Sequence, residues 1–514
     1  MTHRKNILIA SAVIAVAGAL VFPASAEKLV IVHTNDTHSQ IDPDEATGMG
    51  GILRRKVVID SVRANNPNVI LIDAGDVVQG TLYFNLYKGE VENKLMNDLG
   101  YDIRILGNHE FDNGVDELAA NLADAKAELL STNYDMTGSP LAREFKPYTT
   151  RRFGDKKVGF IAINLDPKGM IAEGNYDGVR FLDPYDAANS MAWYLKHVDT
   201  CDYVVAVTHI GYEPENTVIA DVPLVERSKD IDLVIGGHTH DLIRPDAGKL
   251  KDYAINALGD TVTITQVGKG GKYVGVSEID LDNGHVDYKV IPIDKRLDNR
   301  VNPGLSASLV PYRKGVDSLM TTPLVRSAVE LPNTGPALLN FVADFIRDNG
   351  NKVLRDKKAP GKQNVDFAII NKGGLRRSLP KGNISEGMII TMMPFANRTQ
   401  VVDIKGRDVI TLLDTMASRG GDGVSSEMLV TYNPSTGRMV SSSVDGKPLD
   451  PDATYRVATI DYLAHGGDYM TGFLNSTPVA NSDSVLFDDL ISYLRNNYKK
   501  KKINPSPTVR MKPE

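Results

Sequence analysis

The chain has 514 residues, 42% hydrophobic and 24% charged, with a formal net charge of -7 and one cysteine, Cys201. That length exceeds one ordinary hydrophobic core, so two sizeable domains are expected. The acidic balance argues against a general nucleic-acid binder, and a single cysteine excludes an intramolecular disulfide.

The N-terminus carries a targeting pattern. Residues 1–6 form a basic stretch with Arg4 and Lys5, Ile7 to Phe22 is apolar, and Ala24-Ser25-Ala26 supplies a cleavage signal before Glu27. The apolar run falls short of the ~20 residues of a membrane span. Residues 1–26 therefore read as a signal peptide. The product is expected to be exported, periplasmic or extracellular after cleavage near Ala26, with no stable membrane insertion.

From Lys28 to Arg300 short apolar runs alternate with helical patterns, the signature of a layered α/β domain. The strand-like runs are 29–32, 69–72, 103–106, 158–163, 203–207 and 233–235, and helical spacing marks 54–65, 90–99 and 185–197. Around 261–266 and 273–281 the pattern turns to β-hairpin.

Five of these runs end in polar chemistry. The first leads into His33-Thr34-Asn35-Asp36-Thr37-His38, the second into Asp73-Ala74-Gly75-Asp76, and the third into Gly107-Asn108-His109-Glu110-Phe111-Asp112. The run at 203–207 leads into Thr208-His209, and that at 233–235 into Gly236-Gly237-His238-Thr239-His240. One such ending is an ordinary turn, whereas five at strand ends, holding six of the ten histidines, describe a site.

Asp and Asn oxygens combined with imidazoles suit borderline divalent ions such as Zn, Mn or Fe rather than Ca or Mg. Asp36, His38, Asp76, Asn108, His209, His238 and His240 are too many ligands for one tetrahedral zinc, and suit two ions sharing a carboxylate. Such a pair orients a phosphoryl group and generates hydroxide for an in-line displacement. His109 and Asp112, three residues apart, share a face if a helix begins there, and His109 can then steady or protonate an oxygen. His33 reads as structural. Asp73 reads equally as a ligand or as a turn residue, and Asp112 has a helix-capping alternative.

These blocks resemble those of the calcineurin-like metallophosphoesterases. The fuller forms at 33–38 and 107–112 are similar to the secreted 5′-nucleotidase family, which includes UDP-sugar hydrolases and 2′,3′-cyclic phosphodiesterases. The resemblance implies a four-layer αββα domain followed by a smaller α/β substrate-binding domain. It implies one ion on Asp36, His38, Asp76 and His240 and a second on Asp76, Asn108, His209 and His238, with His109 and Asp112 as a catalytic dyad. Gln79 stands where a purple acid phosphatase would need Tyr.

Residues 301–322 read as an interdomain linker helix between a first domain, 27–300, and a second, 323–514. The second domain repeats no Asp/His strand ending. Its candidates are Asn371-Lys372-Gly373-Gly374-Leu375-Arg376, where Gly backbone and Arg suit an anion, the aromatic Phe395, and Tyr462 with Asp468 six residues on. Two aromatics can sandwich a base, and a carboxylate can accept from ribose hydroxyls.

These blocks resemble the 5′-nucleotidase substrate-binding domain. By that likeness Asn371 and Arg376 are polar contacts, Phe395 and Tyr462 the clamp, and Asp468 the ribose acceptor. Lys372 replaces a Gly and is expected to add charge there. Tyr462 stands where Phe is common. The Arg usual before the domain's first helix is missing near 330–333, with Arg326 a loose substitute.

The expectation is an exported, two-metal phosphohydrolase of nucleoside 5′-monophosphates or related nucleotides, using a metal-bound hydroxide. Its partner is a small-molecule nucleotide. UDP-sugars and 2′,3′-cyclic nucleotides are alternative substrates, and a nucleotide-binding protein without turnover is the alternative class.

Overall fold

The computed structural model describes residues 28–214, 219–246 and 249–514. The expected signal peptide lies outside the described residues.

The N-terminal domain is built on two packed sheets. In one of seven strands, Lys28–Thr34 pairs in parallel with Val69–Asp73 and antiparallel with Tyr273–Asp280. In the other, of six strands, Tyr203–His209 lies between Lys156–Asn164 and Leu233–Ile235, parallel to both.

Alternation along the strands creates the layers, because successive side chains point to opposite faces. Leu29 and Ile31 pack between the sheets with Phe160, Val205 and Val207. Val30 and Val32 pack outward against Ile59, Val91 and Leu95 on the helices Ile52–Asn65 and Glu90–Leu99. On the far side the helix Pro184–His197 covers the second sheet through Ala188, Ala192 and Leu195. Asp183 starts that helix by accepting from the Asp186 N–H, and Pro184 follows in its first turn. The result is the expected order of helix, sheet, sheet, helix. The parallel strands point one way, so their polar endings meet at one rim.

The runs at 261–266 and 273–281 do not pair with each other. Thr261–Thr265 joins the six-stranded sheet beside Tyr253–Ile255, while Tyr273–Asp280 forms its hairpin with Val286–Pro292 in the other sheet. Both runs alternate properly, but alternation does not name the partner strand.

Where one linker helix was expected there are two, Pro303–Ser308 and Val310–Thr321, meeting at Leu309. Pro311 has no N–H to continue the first helix, and its ring crowds the preceding turn. The linker is packed on both sides. Tyr312 meets Tyr87 at 5.0 Å between ring centroids, and Met320 packs against the C-terminal core. Leu82, from the N-terminal domain, is buried in that same core.

The C-terminal domain centres on a five-stranded mixed sheet in which Thr454–Ile460 lies between Phe367–Ile370 and Thr399–Lys405. The helix Pro336–Asp356 buries Leu338, Phe341, Val342, Phe345 and Ile346 in the domain's core. Asn371 follows Phe367–Ile370 directly, and Tyr462 lies on the short helix Asp461–Ala464 that follows Thr454–Ile460.

Candidate metal centre and substrate cleft

All seven candidate ligands converge at the rim of the two sheets. Asp36, His38 and His240 form one group able to hold a cation, Asp76, His209 and His238 another, and His38, Asp76 and His109 a third that overlaps both. Asn108 joins the second group, its Oδ1 3.1 Å from His238 Nδ1. Asp76 Oδ2 lies 3.2 Å from His209 Nε2 and 3.9 Å from His38 Nε2, so one carboxylate stands between the groups.

Local backbone strain accompanies this convergence. Asp36, His38, Asp76, His238 and His240 all have positive φ, between 48° and 83°, a region L-residues avoid without compensation. Gly107 allows the loops to meet, since a Cβ there would lie 2.1 Å from Asp76 Oδ1. At Gly75 a Cβ would lie 2.6 Å from the Gly107 nitrogen.

The electrostatics fit divalent cations. Burial pushes His38 and His238 down to about 3 and His240 lower still, so these rings present neutral nitrogens. His38 Nε2 and His240 Nε2 stand 3.0 Å apart. The Nδ1 of His209 donates to the Ala74 carbonyl at 2.7 Å, which turns Nε2 toward the Asp76 carboxylate. A lone pair facing a carboxylate is unfavourable unless a cation or a proton lies between them. Against its burial, the Asp76 charge accordingly pushes His209 up to about 10. Burial also raises Asp36, to about 7, whereas Asp76, despite burial, is held well below the carboxylate range by His209 and His109. Neutral imidazoles, an amide oxygen and two buried carboxylates are a donor set for borderline divalent metals.

His109 opens a single 3₁₀ turn, His109–Phe111, in which residues three apart eclipse. Its Nδ1 is 3.0 Å from Asp112 Oδ2, and the following helix is capped by Gly114, so Asp112 serves His109 rather than a helix start. Against the effect of burial, Asp112 and Asp76 raise the His109 pKa. Asp73 is no member of the cation-holding groups. It accepts from Thr34 Oγ1 and the Gly75 N–H. His33 is fully buried, its ring stacked on Tyr288.

One cleft of about 730 Å³ runs from Asp76, Asn108, His109, His238 and His240 to the C-terminal domain. Its far wall includes Asn371, Arg376, Phe395, Tyr462 and Asp468, so every substrate-site candidate lies on it. Asn371 Nδ2 donates to Asp468 Oδ2 at 2.5 Å, and Tyr462 Oη lies 3.1 Å from Asp468 Oδ1. Asp468 Oδ2 also faces the Arg419 guanidinium, 3.6 Å from its Nη1. Burial lowers the Arg376 pKa, while Asp112, Asp76 and Asp468 act on it in the opposite sense.

The family descriptions divide the chain as the sheets do. Residues 29–242 match the calcineurin-like phosphoesterase domain, and residues 320–475 match the 5′-nucleotidase C-terminal domain. The chain belongs to the 5′-nucleotidase family of the calcineurin-like metallophosphoesterases. It is 28% identical to the 5′-nucleotidase of Vibrio cholerae, over 96% of each chain. Against the trifunctional nucleotide phosphoesterase YfkN of Bacillus subtilis it is 27% identical over 94% of this chain, spanning 35% of that longer protein. A crystal structure of a 5′-nucleotidase precursor from Thermus thermophilus superposes with a TM-score of 0.79 at 28% identity, covering 95% of this chain and 99% of that one.

As a metallophosphoesterase the chain is a metal-dependent phosphoric ester hydrolase, and two readings of its sequence need correction. Lys372 adds no charge to the cleft, because its Nζ is bound to the Arg419 carbonyl. Arg326 does not replace the missing Arg. It is exposed on the strand Pro323–Ser327, and is not among the residues lining the cleft.

Sequence reasoning also missed contributors. The Gly169 carbonyl accepts from the Asp468 N–H at 3.0 Å and from Tyr462 Oη at 3.2 Å, bringing a loop of the N-terminal domain to the Tyr462–Asp468 end of the cleft. Arg419 supports the same loop, donating to the Asp468 carbonyl at 2.8 Å. Carbonyl groups carry no residue-type signal, and Arg419 stands outside every motif.

Proposed function

We propose that this chain is an exported hydrolase of nucleoside 5′-monophosphates and related nucleotide esters. The observation that supports this most directly is the continuity of one cleft from the Asp/His centre to Phe395, Tyr462 and Asp468. A phosphate at one end and a nucleoside at the other match its two kinds of wall.

In this reading Asp36, His38, Asp76 and His240 would hold one divalent ion, and Asp76, Asn108, His209 and His238 a second. When bound, such ions neutralise phosphoryl charge and make water a stronger nucleophile. The chain's own groups do the rest. Asp112 orients the His109 ring through Nδ1, which turns Nε2 toward an oxygen of the phosphoryl group, where it donates as charge develops. Arg376 adds a positive charge on the C-terminal wall. Phe395 and Tyr462 present ring faces to the base, and Asp468 accepts from ribose hydroxyls.

The cleft volume lies in the upper part of the range of about 300–1,000 Å³ common for small-molecule sites. That room favours, as a second reading, esters larger than a mononucleotide, such as UDP-sugars, with 2′,3′-cyclic nucleotides testing the opposite geometry. Export rests on residues 1–26 of the sequence. No helix among the described residues is long and apolar enough to cross a membrane.

The deciding experiment is phosphate release by purified protein over nucleoside monophosphates, UDP-sugars, cyclic nucleotides and phenyl phosphate, with manganese, zinc or cobalt added. Equal kcat/KM for a nucleoside monophosphate and phenyl phosphate would contradict the nucleoside role of the C-terminal wall.

A further inference from the structure

Glu110 belongs to the same stretch as Asn108 and His109, yet it is a member of none of the cation-holding groups and is buried. Its carboxylate is nonetheless fully engaged. Oε2 accepts from the Gly107 N–H at 2.5 Å and from the Asp76 N–H at 3.0 Å, while Oε1 accepts from the Val77 N–H at 2.7 Å. In return, Asp76 Oδ1 accepts from the His109 N–H at 2.9 Å. Two loops from different strands thus exchange carboxylates, each gripping the other's backbone.

The exchange has a chemical consequence. Three N–H donors and no acceptor face Glu110, an environment that holds only the ionised form well. A buried anion kept at the junction of two loops is costly unless it orders something. What it orders is Asp76 on one loop, with Asn108 and His109 on the other.

We propose that Glu110 is a positioning residue that clamps the Asp76 loop to the Asn108–His109 loop and so sets the affinity of the centre for divalent cations and the placement of His109. It touches no substrate and acts through backbone. This rests on the reading of Asp76 and Asn108 as metal-holding groups. Glu110→Gln is the informative variant, because the amide keeps the size but turns an N–H₂ toward N–H donors. Partners behind metal ligands typically contribute about 10–100-fold in affinity.

The test titrates manganese into metal-free wild type, Glu110→Gln and Glu110→Ala, and follows hydrogen exchange of metal-free wild type and Glu110→Gln. Manganese affinity should fall about 10–100-fold in Glu110→Gln. At saturating manganese, kcat should fall while KM for a nucleoside monophosphate changes little. Exchange should quicken in peptides covering 74–78 and 105–110 and remain unchanged in the C-terminal sheet. Should Glu110→Ala fail to fold, the isosteric variant still decides the matter. Wild-type affinity and kcat in Glu110→Gln would overturn the clamp alone, as would faster exchange spread over the whole domain. A wild-type protein that takes up no manganese would overturn the metal reading together with the clamp.

Discussion

The ring of His109 lies over the ring of Phe395, 5.9 Å between centroids and 28° from parallel, with one residue on each domain. A residue at the metal centre therefore touches an expected base-clamp residue directly, and the Arg376 guanidinium lies 5.5 Å from the Phe395 centroid. Base stacking on an aromatic is worth about 1–3 kcal/mol, so Phe395→Ala should lower kcat/KM for a nucleoside monophosphate roughly 5- to 150-fold. Phenyl phosphate separates two roles. A comparable loss on that small substrate would mean that Phe395 acts by holding His109, not by stacking on a base.

His109→Ala should leave the metal content unchanged and lower kcat by about 10²- to 10⁴-fold, the usual contribution of a positioned acid or base. Elemental analysis and turnover on one preparation check both halves. Near-normal turnover would remove His109 and Asp112 from the chemistry.

Asp76 belongs to two of the three overlapping cation-holding groups and stands 3.2 Å from His209 and 3.9 Å from His38. Asp76→Ala is expected to release two equivalents of metal together. Retention of one equivalent would mean that the groups are independent.

Tyr462 joins the Asp468 carboxylate, the proposed ribose acceptor, to the other domain through one hydroxyl, 3.1 Å from Asp468 Oδ1 and 3.2 Å from the Gly169 carbonyl. Tyr462→Phe keeps the ring and removes the bonds, each worth about 0.5–1.5 kcal/mol net. The expected result is a roughly 2- to 10-fold lower kcat/KM for nucleotides with phenyl phosphate unaffected. An unchanged value for both would show that the hydroxyl contributes only to the resting arrangement.

Asp221 offers a pH test away from the cleft. It is fully buried, accepts from Thr208 Oγ1 at 2.6 Å, and burial raises its pKa from 3.8 to about 8. The folded state then keeps this proton between pH 3.8 and about 8, where the unfolded chain has lost it. Stability must therefore fall as pH rises through that window, by up to about 1.4 kcal/mol per unit from this group. Asp221→Asn should flatten that part of the slope, read from urea-unfolding midpoints at several pH values. Identical pH profiles for both proteins would show the carboxylate already ionised when folded.

The sequence by itself determined the layered N-terminal fold and the polar endings of its strands. Short apolar runs alternating with helical patterns are written in residue types, and the parallel strands that such alternation builds bring their ends to one rim. For the same reason Asp36, His38, Asp76, Asn108, His209, His238 and His240 were legible before any coordinates, since residues of one chemistry recurred at one kind of position. What only the tertiary structure decided is how groups without a periodic signature are used. Glu110 binds backbone N–H groups from a loop more than thirty residues away, the Gly169 carbonyl receives donors from the other domain, and the Lys372 ammonium turns to a carbonyl instead of the cleft. Such contacts depend on where two backbones approach each other, and backbone groups are the same in every residue.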